Sequence, residues 1–133
     1  IRTPIMIRWP GKVQPGERSE LANSIDLVPT ILKACGLDPT AAMQGIDLLN
    51  DTALAKRKTT HGACYLHNAI DIHKPSANLT HRWLINGNWK LILPHKANAK
   101  ADEPELYNLT KDSHENQNLA KTNPAKPSAW PSN

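Results

Sequence analysis

Hydrophobic positions in the first third of the chain predict a buried strand followed by one helix. Residues 1–9 carry a continuous apolar run, which is typical of a strand that a large sheet buries on both faces. Further along, apolar side chains recur at helical spacing over residues 28–35, and Gly36 stands where a helix would end. Because the ring of Pro29 prevents the helix from extending far upstream, we predict Asp26 as its N-cap, a structural role.

The second half of the chain predicts an antiparallel sheet. Apolar-rich runs at residues 61–66, 81–93 and 105–109 indicate strands. The middle run contains Asn86 and Gly87 between two apolar segments, which is the strongest short signal for a β-hairpin. One strand, a two-stranded hairpin and a further strand, joined by polar segments, are therefore expected.

The register of this hairpin decides how its two tryptophans are used. A two-residue loop would pair Trp83 with Lys90, whereas a three-residue loop with Gly87 in the left-handed position pairs Trp83 with Trp89. We predict the three-residue loop, which also puts Leu91 on the face that carries both tryptophans. Such a pair usually belongs to a core, and the alternative is a stacking platform for sugars.

The predicted fold class is α+β. Residues 1–55 hold a strand and helix that would complete a larger sheet, residues 56–123 form a small antiparallel sheet, and residues 124–133 make a proline-rich tail. Asp112 and Glu115 have the spacing of a capping box, which predicts a C-terminal helix through about residue 121. A buried strand without neighbours implies missing sheet, so we expect a piece of a longer protein, with self-association through the open strand edge.

Composition narrows the class of protein. The chain has 133 residues, a net charge of +4 and 39% hydrophobic residues, and no apolar run approaches the roughly 18 residues of a membrane span. These values predict a globular chain rather than a disordered or membrane-spanning one. Residues 56–58 are the only run of positive charges, which is typical of a solvated surface and does not indicate nucleic-acid binding.

The residues indicate no complete catalytic centre. Cys35 and Cys64 have neither the spacing of a disulfide framework nor that of a zinc site, and phosphate-loop and metalloprotease motifs are missing. Histidines recur at positions 61, 67 and 73. Six extended residues span about 20 Å, so these histidines would share a metal ion only if the chain folds back. Substrate contact and an ordinary surface or core position are the other two interpretations.

Four segments, in the same order, resemble motifs of the sulfatases. Residues 1–12 are similar to the segment G-x-R-V-P-hydrophobic-W-P-G, and residues 24–37 are similar to the helix that contains S-x-D-L-x-P-T. Residues 88–92 resemble the hairpin strand x-W/Y-K-L-I, and residues 105–120 resemble the near-terminal E-L-Y-D-L-x-x-D-P-x-E-x-x-N-L-A. Any one motif alone is weak, but their order and spacing over residues 1–121 make the match specific.

The resemblance implies the C-terminal portion of a formylglycine-dependent sulfatase of the alkaline-phosphatase-like superfamily. Such enzymes hydrolyse sulfate esters with a calcium ion and a formylglycine made from Cys or Ser in the motif C/S-x-P-x-R. Neither Cys35 nor Cys64 is followed by x-P-x-R. The resemblance therefore implies that calcium and formylglycine belong to a missing N-terminal catalytic part, the partner of this chain, and that this chain binds no cofactor and is inactive alone.

The same resemblance implies that this chain helps to wall the substrate pocket, with a sulfated saccharide as substrate. The polar loop after residue 66 connects two strands, a place where binding residues often lie. We predict substrate contacts from His67 first, and then from Asn68, Asp71 and His73. The alternatives are a free-standing carbohydrate-binding module and a purely structural one. By family resemblance the protein is expected to be periplasmic or secreted. Three N-x-T sequons, which are compatible with export, begin at Asn50, Asn78 and Asn108.

Overall fold

The computed structural model describes residues 3–100 and 103–123. Contacts within the chain divide it into two compact units, residues 1–57 and residues 58–133. The helices are α1, Leu27–Ala34, which follows a 3₁₀ turn at Ser24–Asp26, and α2, Asp51–Lys56. The strands are β1, Thr59–Tyr65; β2, Leu79–Asn86, which follows a 3₁₀ turn at Pro75–Asn78; β3, Trp89–Pro94; and β4, Glu105–Asn108. None of the helices within the described ranges combines the length and apolar character that crossing a bilayer requires.

The first unit is built around the carboxylate of Asp26, which is 0% exposed. Its Oδ2 accepts a hydrogen bond from the backbone N–H of Asn23 at 2.7 Å, and its Oδ1 accepts one from the N–H of Ile46 at 2.9 Å. The guanidinium of Arg57 donates to both carboxylate oxygens, at 2.5 and 2.8 Å. One carboxylate therefore joins the chain before α1, the segment before α2 and the residue that follows α2.

These contacts also set the protonation state of Asp26. Burial by itself would raise the pKa of this carboxyl, but the hydrogen bonds from Arg57 and from the two backbone N–H groups outweigh burial and hold the pKa below its usual value. Asp26 precedes α1 as predicted, but its side chain makes no capping bond to that helix. It closes the capping box of Asn23 at the preceding turn instead.

Residues 3–9 do not form the predicted strand. A strand needs a neighbour to exchange backbone hydrogen bonds with it, and the sheet in the described part of the chain contains only β1 to β4. The apolar run is exposed instead, with Met6 at 90%, Ile5 at 37% and Ile7 at 39%. Positions 1 and 2 of the predicted strand lie outside the described residues.

Helix α1 forms where the sequence predicts it, but only part of its apolar surface is buried. Pro29 and Thr30 are buried, whereas Val28 and Ile31 are 52% and 60% exposed. Residues 6–9 and α1 line an open groove of about 330 Å³, which we call the α1 groove. The first unit therefore presents an apolar surface to its surroundings.

The four strands of the second unit form one antiparallel sheet in the order β1-β2-β3-β4. Its core lies on the last two strands, where Leu91 of β3 pairs directly with Leu106 of β4. These two side chains are 2% and 0% exposed. Helix α1 and this sheet confirm the predicted α+β class with a small antiparallel sheet.

The opposite face of β3 and β4 is polar yet buried. Lys90 pairs with Tyr107 across the two strands, and the two residues are 9% and 7% exposed. The Nζ of Lys90 donates to the carboxylate of Glu115 at 2.6 Å, and the hydroxyl of Tyr107 donates to that of Glu105 at 2.5 Å. Burial, together with the neighbouring Glu105 carboxylate, raises the pKa of Tyr107 to about 12. Each of the two buried residues, Lys90 and Tyr107, therefore has its own carboxylate partner.

The β2–β3 hairpin forms, but its register differs from the predicted one. The loop has two residues, Gly87 and Asn88, and the structure pairs Trp83 with Ile92 rather than with Trp89. The reason lies in the turn, because Gly87 has a φ of 55° at the first central position, where type II′ hairpins take glycine. The pairing differs from the predicted one by three residues, an odd number. The two tryptophans therefore lie on opposite faces of the sheet.

The predicted C-terminal helix is replaced by a series of turns over residues 112–121. Glu115 has a φ of 59°, which a right-handed helix does not allow, and its carboxylate bonds Lys90 instead of a helix cap. The carboxylate of Asp112 accepts a hydrogen bond from the N–H of Gln117 at 2.8 Å. Both residues of the apparent capping box, Asp112 and Glu115, therefore make side-chain contacts that do not belong to a helix.

This segment instead covers the outer edge of β4. The Oδ1 of Asn118 accepts a hydrogen bond from the N–H of Leu106 at 3.1 Å, and the N–H of Leu119 donates to the Leu106 carbonyl at 2.8 Å. Backbone groups that an edge strand would leave open are thus paired. The predicted tail, residues 124–133, lies outside the described residues.

Candidate functional site

The predicted site residues lie on the connection between β1 and β2, residues 66–78, which we call the β1–β2 loop. His67, Asn68 and His73 are exposed, and Asp71 is half-buried. The structure brings two of the four into direct contact, because the Oδ1 of Asp71 accepts a hydrogen bond from the backbone N–H of His73 at 2.9 Å. This bond is an Asx turn, so the Asp71 carboxylate shapes the loop that presents His73.

Asn78, at the end of the loop, holds its backbone in place. This residue is 6% exposed. Its Oδ1 accepts hydrogen bonds from the N–H of Ile70 at 2.6 Å and the N–H of Asp71 at 3.3 Å. Its Nδ2 donates to the carbonyls of Asp71 at 2.6 Å and Lys74 at 3.4 Å. One amide therefore binds both sides of the loop, and we call this set of bonds the Asn78 clamp.

The clamp is itself attached to the sheet. The carbonyl of Asn78 accepts a hydrogen bond from the N–H of Leu66 at 2.8 Å, which closes the base of the loop. The Nδ2 of Asn98 donates to the carbonyls of Ala77 and Leu79, at 2.8 and 2.9 Å. Leu79, the first residue of β2, is only 3% exposed. The base of the loop is therefore continuous with the buried start of β2.

The exposed side of the β1–β2 loop combines positive charge with apolar surface. Lys74 and the two histidines are exposed, and Ile70 and Ile72 are 70% and 76% exposed. Asp71 is the single acidic residue of the loop, and its carboxylate is engaged with the backbone of His73. The loop therefore suits an anionic ligand that also offers an apolar face, since imidazole and ammonium groups donate charge-assisted hydrogen bonds.

The described residues show no cluster of potential metal ligands in either unit. Within the described residues, no three His, Cys, Asp or Glu side chains are arranged to hold a metal ion. The histidines at positions 61, 67 and 73 consequently do not converge on one ion. Cys35 and Cys64 are exposed free thiols.

The sequence pattern does not indicate the two asparagines that organise the loop, Asn78 and Asn98. Asn78 begins an N-x-T sequon, which favours reading it as a glycan acceptor. In the folded chain its Nδ2 is buried and already donates two hydrogen bonds. The available signal was its position directly before the strand residue Leu79, because asparagine side chains often satisfy the backbone of a turn.

Comparison with known proteins identifies relatives along nearly the whole chain. A family model described as N-sulphoglucosamine sulphohydrolase, C-terminal, matches residues 1–128. An N-acetylgalactosamine-6-O-sulfatase of Bacteroides thetaiotaomicron is 30% identical over 138 residues, which cover 92% of this chain and 24% of that protein. The chain spans about a quarter of the length of the curated relatives that it matches along most of its length.

Comparison with solved structures identifies proteins in which part of the chain has a similar fold. One, from work on the metabolism of multiple glycosaminoglycans by Bacteroides thetaiotaomicron, has a TM-score of 0.68 at 22% identity and covers 90% of this chain and 27% of that one. Another is a protein in complex with its substrate, D-glucosamine-2-N,6-O-disulfate. It has a TM-score of 0.55 at 25% identity and covers 77% of this chain and 21% of that one.

Proposed function

Because the chain belongs to the sulfatase family and corresponds to its C-terminal region, we propose that it is the C-terminal part of a sulfate-ester hydrolase that acts on a sulfated sugar. The sugar class is supported by a relative that is an N-acetylgalactosamine-6-O-sulfatase and by a structural neighbour with a disulfated glucosamine as its substrate. Within that enzyme, we assign this chain the task of walling the substrate pocket. Since sulfated polymers lie largely outside cells, we expect a periplasmic or secreted enzyme.

The β1–β2 loop carries this proposal. Its exposed His67, His73 and Lys74 offer hydrogen-bond donors to sulfate oxygens, and exposed Ile70 and Ile72 offer apolar surface to a sugar ring. The Asn78 clamp fixes the backbone that presents these groups, so little conformational entropy is lost when a ligand binds.

The bond-breaking chemistry belongs to another part of the polypeptide. Hydrolysis of a sulfate ester requires an activated nucleophile, a cation for the charge on the sulfate oxygens and an acid for the leaving group. Neither cysteine of this chain is followed by x-P-x-R, and the described residues gather no three-donor metal group. We therefore assign calcium and formylglycine to the catalytic part.

The purified chain of residues 1–133 should release no nitrophenol from p-nitrophenyl sulfate, because it lacks that chemistry. The full-length enzyme serves as the positive control in the same assay. Turnover above the buffer rate that persists after a further chromatographic step would overturn the assignment. Sedimentation of the same sample measures whether its exposed apolar groove makes the isolated chain self-associate.

The α1 groove supports a contact with the catalytic part. Of the residues that line it, Ile31 is 60% exposed and Met6 is 90% exposed. Contiguous apolar surface of this kind is typical of an interface. Since the chain spans only about a quarter of the length of its relatives, we propose that the occupant is the catalytic part of the same polypeptide.

Substitution His67→Ala in the full-length enzyme should raise KM for a sulfated monosaccharide by about tenfold, because a charge-assisted hydrogen bond to the sulfate is lost. The bond acts in ground state and transition state alike, so kcat should stay nearly constant. Steady-state kinetics on the folded variant measures both constants.

The matched control is His114→Ala, which removes an exposed histidine from the turn segment outside the β1–β2 loop. Its KM should equal that of the wild type. If His67→Ala behaves like this control, and if Lys74→Ala does so as well, the loop does not contact substrate. The chain would then be a purely structural cover of the catalytic part.

A free-standing sugar-binding module has less support. That alternative depends on Trp83 and Trp89 acting as one stacking platform, and the strand register puts them on opposite faces. The indole of Trp83 also lies over Gly62, where a Cβ atom would come within 2.6 Å of the ring. Trp83 is therefore occupied by a contact with the neighbouring strand.

A further inference from the structure

We propose that Asn78 is a positioning residue for substrate recognition, acting through the backbone of the β1–β2 loop. This inference rests on the proposed function, because it assumes that the loop faces the substrate. It goes further by naming the group that fixes the loop geometry. Asn78 itself does not touch the substrate, since it is only 6% exposed and its amide is bonded within the chain.

Apolar burial does not hold this loop. Of its three large apolar side chains, Leu66 at the base is half-buried, whereas Ile70 and Ile72 are 70% and 76% exposed. A segment with few buried apolar contacts opens easily unless hydrogen bonds hold it. The loop is thus unlike β3 and β4, where Leu91 and Leu106 are 2% and 0% exposed. Its geometry must come from polar contacts.

The Asn78 clamp supplies those contacts in a geometry that other side chains would not reproduce. An amide offers an acceptor and a donor on one planar group. Asn78 uses the acceptor for the N–H groups of Ile70 and Asp71, and the donor for the carbonyls of Asp71 and Lys74. The backbone on both sides of the loop is therefore hydrogen-bonded to one buried side chain.

The clamp reaches His73 through one further bond. The amide of Asn78 fixes the backbone of Asp71, and the carboxylate of Asp71 fixes the N–H of His73 at 2.9 Å. The Lys74 carbonyl is bonded by Asn78 and also by the N–H of Ala77, at 2.9 Å. The backbone positions of His73 and Lys74 are therefore both set by one asparagine.

The test is Asn78→Asp in the full-length enzyme. The substitution keeps the size of the side chain but replaces the Nδ2 donor by an oxygen that faces the carbonyls of Asp71 and Lys74. We expect KM for a sulfated monosaccharide to rise about tenfold with kcat nearly constant, because misplaced binding groups weaken substrate affinity. Repulsion between the new carboxylate oxygen and these two carbonyls should displace the side chain, so hydrogen exchange at the amides of Ile70 and Asp71, which donate to it, should become faster.

The matched control is Asn118→Asp, which loses a comparable amide donor to a backbone carbonyl, that of Pro104. A merely structural effect would lower stability in both variants and leave KM unchanged in both. If Asn78→Asp yields no folded enzyme, Asn78→Ser is measured in the same way. Serine fits the space, but it is too short to bond both sides of the loop.

The outcomes separate this inference from the proposed function. Faster exchange with a raised KM supports the inference. Unchanged exchange at Ile70 and Asp71 overturns it, and so does an unchanged KM in a variant whose loop has loosened while His67→Ala still raises KM. If Asn78→Asp, His67→Ala and Lys74→Ala all leave KM unchanged, the proposed substrate contact fails and the inference fails with it.

Discussion

Substitution Asp26→Ala should destabilise the first unit by about 3–5 kcal/mol, the usual cost of removing one partner from a buried ion pair. Asp26 is 0% exposed, and the side chain of its partner Arg57 is only 12% exposed. Alanine would leave the guanidinium and the N–H groups of Asn23 and Ile46 without their acceptor. Urea denaturation measures the loss, and faster hydrogen exchange at those two N–H groups locates it.

An exposed ion pair of the same unit provides the control. The Nζ of Lys33 lies 2.6 Å from the Oδ1 of Asp38, and the two side chains are 47% and 90% exposed. Water and ions screen such a pair, so Asp38→Ala should leave the urea midpoint essentially unchanged. Equal shifts in Asp26→Ala and Asp38→Ala would show that burial of the Asp26 carboxylate contributes nothing.

The same carboxylate predicts the response of the first unit to acid. The folded-state pKa of Asp26 is lower than its ordinary value, so the folded state favours the ionised form. The resulting stabilisation is complete above the ordinary pKa, and it is lost as the pH falls below that value and through the folded-state pKa. Asp26→Asn should remove this part of the acid dependence. If the stability of Asp26→Asn falls at low pH as steeply as that of the wild type, the assignment is wrong.

The hairpin illustrates what local sequence determines. Alternating apolar runs around a glycine specify that the chain reverses between β2 and β3, because turn and strand preferences agree over a few residues. They do not specify the register. Gly87 is the first residue of the observed two-residue loop instead of the last residue of the predicted three-residue loop, which changes the pairing of every residue on both strands and separates Trp83 from Trp89. The presence of the hairpin is therefore easier to predict than the register of its two strands.

The segment after β4 shows how long-range contacts override a local signal. Asp112 and Glu115 have helix-capping spacing, but Lys90 on β3 takes the carboxylate of Glu115 and Asn118 bonds the edge of β4. Those partners lie 25 and 12 residues away along the chain. A pattern read over four neighbouring residues contains no information about them.

The candidate site follows the same rule. The position of the β1–β2 loop is predictable, because a polar stretch between two strands must cross the surface. Its internal order depends on Asn78 bonding residues that are seven and eight positions earlier. No periodic pattern indicates such a contact, so the residues presented by the loop are easier to name than the residue that orders it.

Substitution Leu106→Ala should destabilise the second unit by about 2–5 kcal/mol, because it removes a buried side chain and leaves a cavity. Leu106 is 0% exposed and pairs with Leu91 across β3 and β4. Its backbone bonds to Asn118 and Leu119 do not depend on the side chain, so the loss reports packing alone. Urea denaturation measures it. The control Leu93→Ala, at a position 43% exposed, should cost much less, and equal losses would contradict a core centred on Leu106. In the fraction that remains folded, KM should not change, which distinguishes a variant of the sheet from one of the β1–β2 loop.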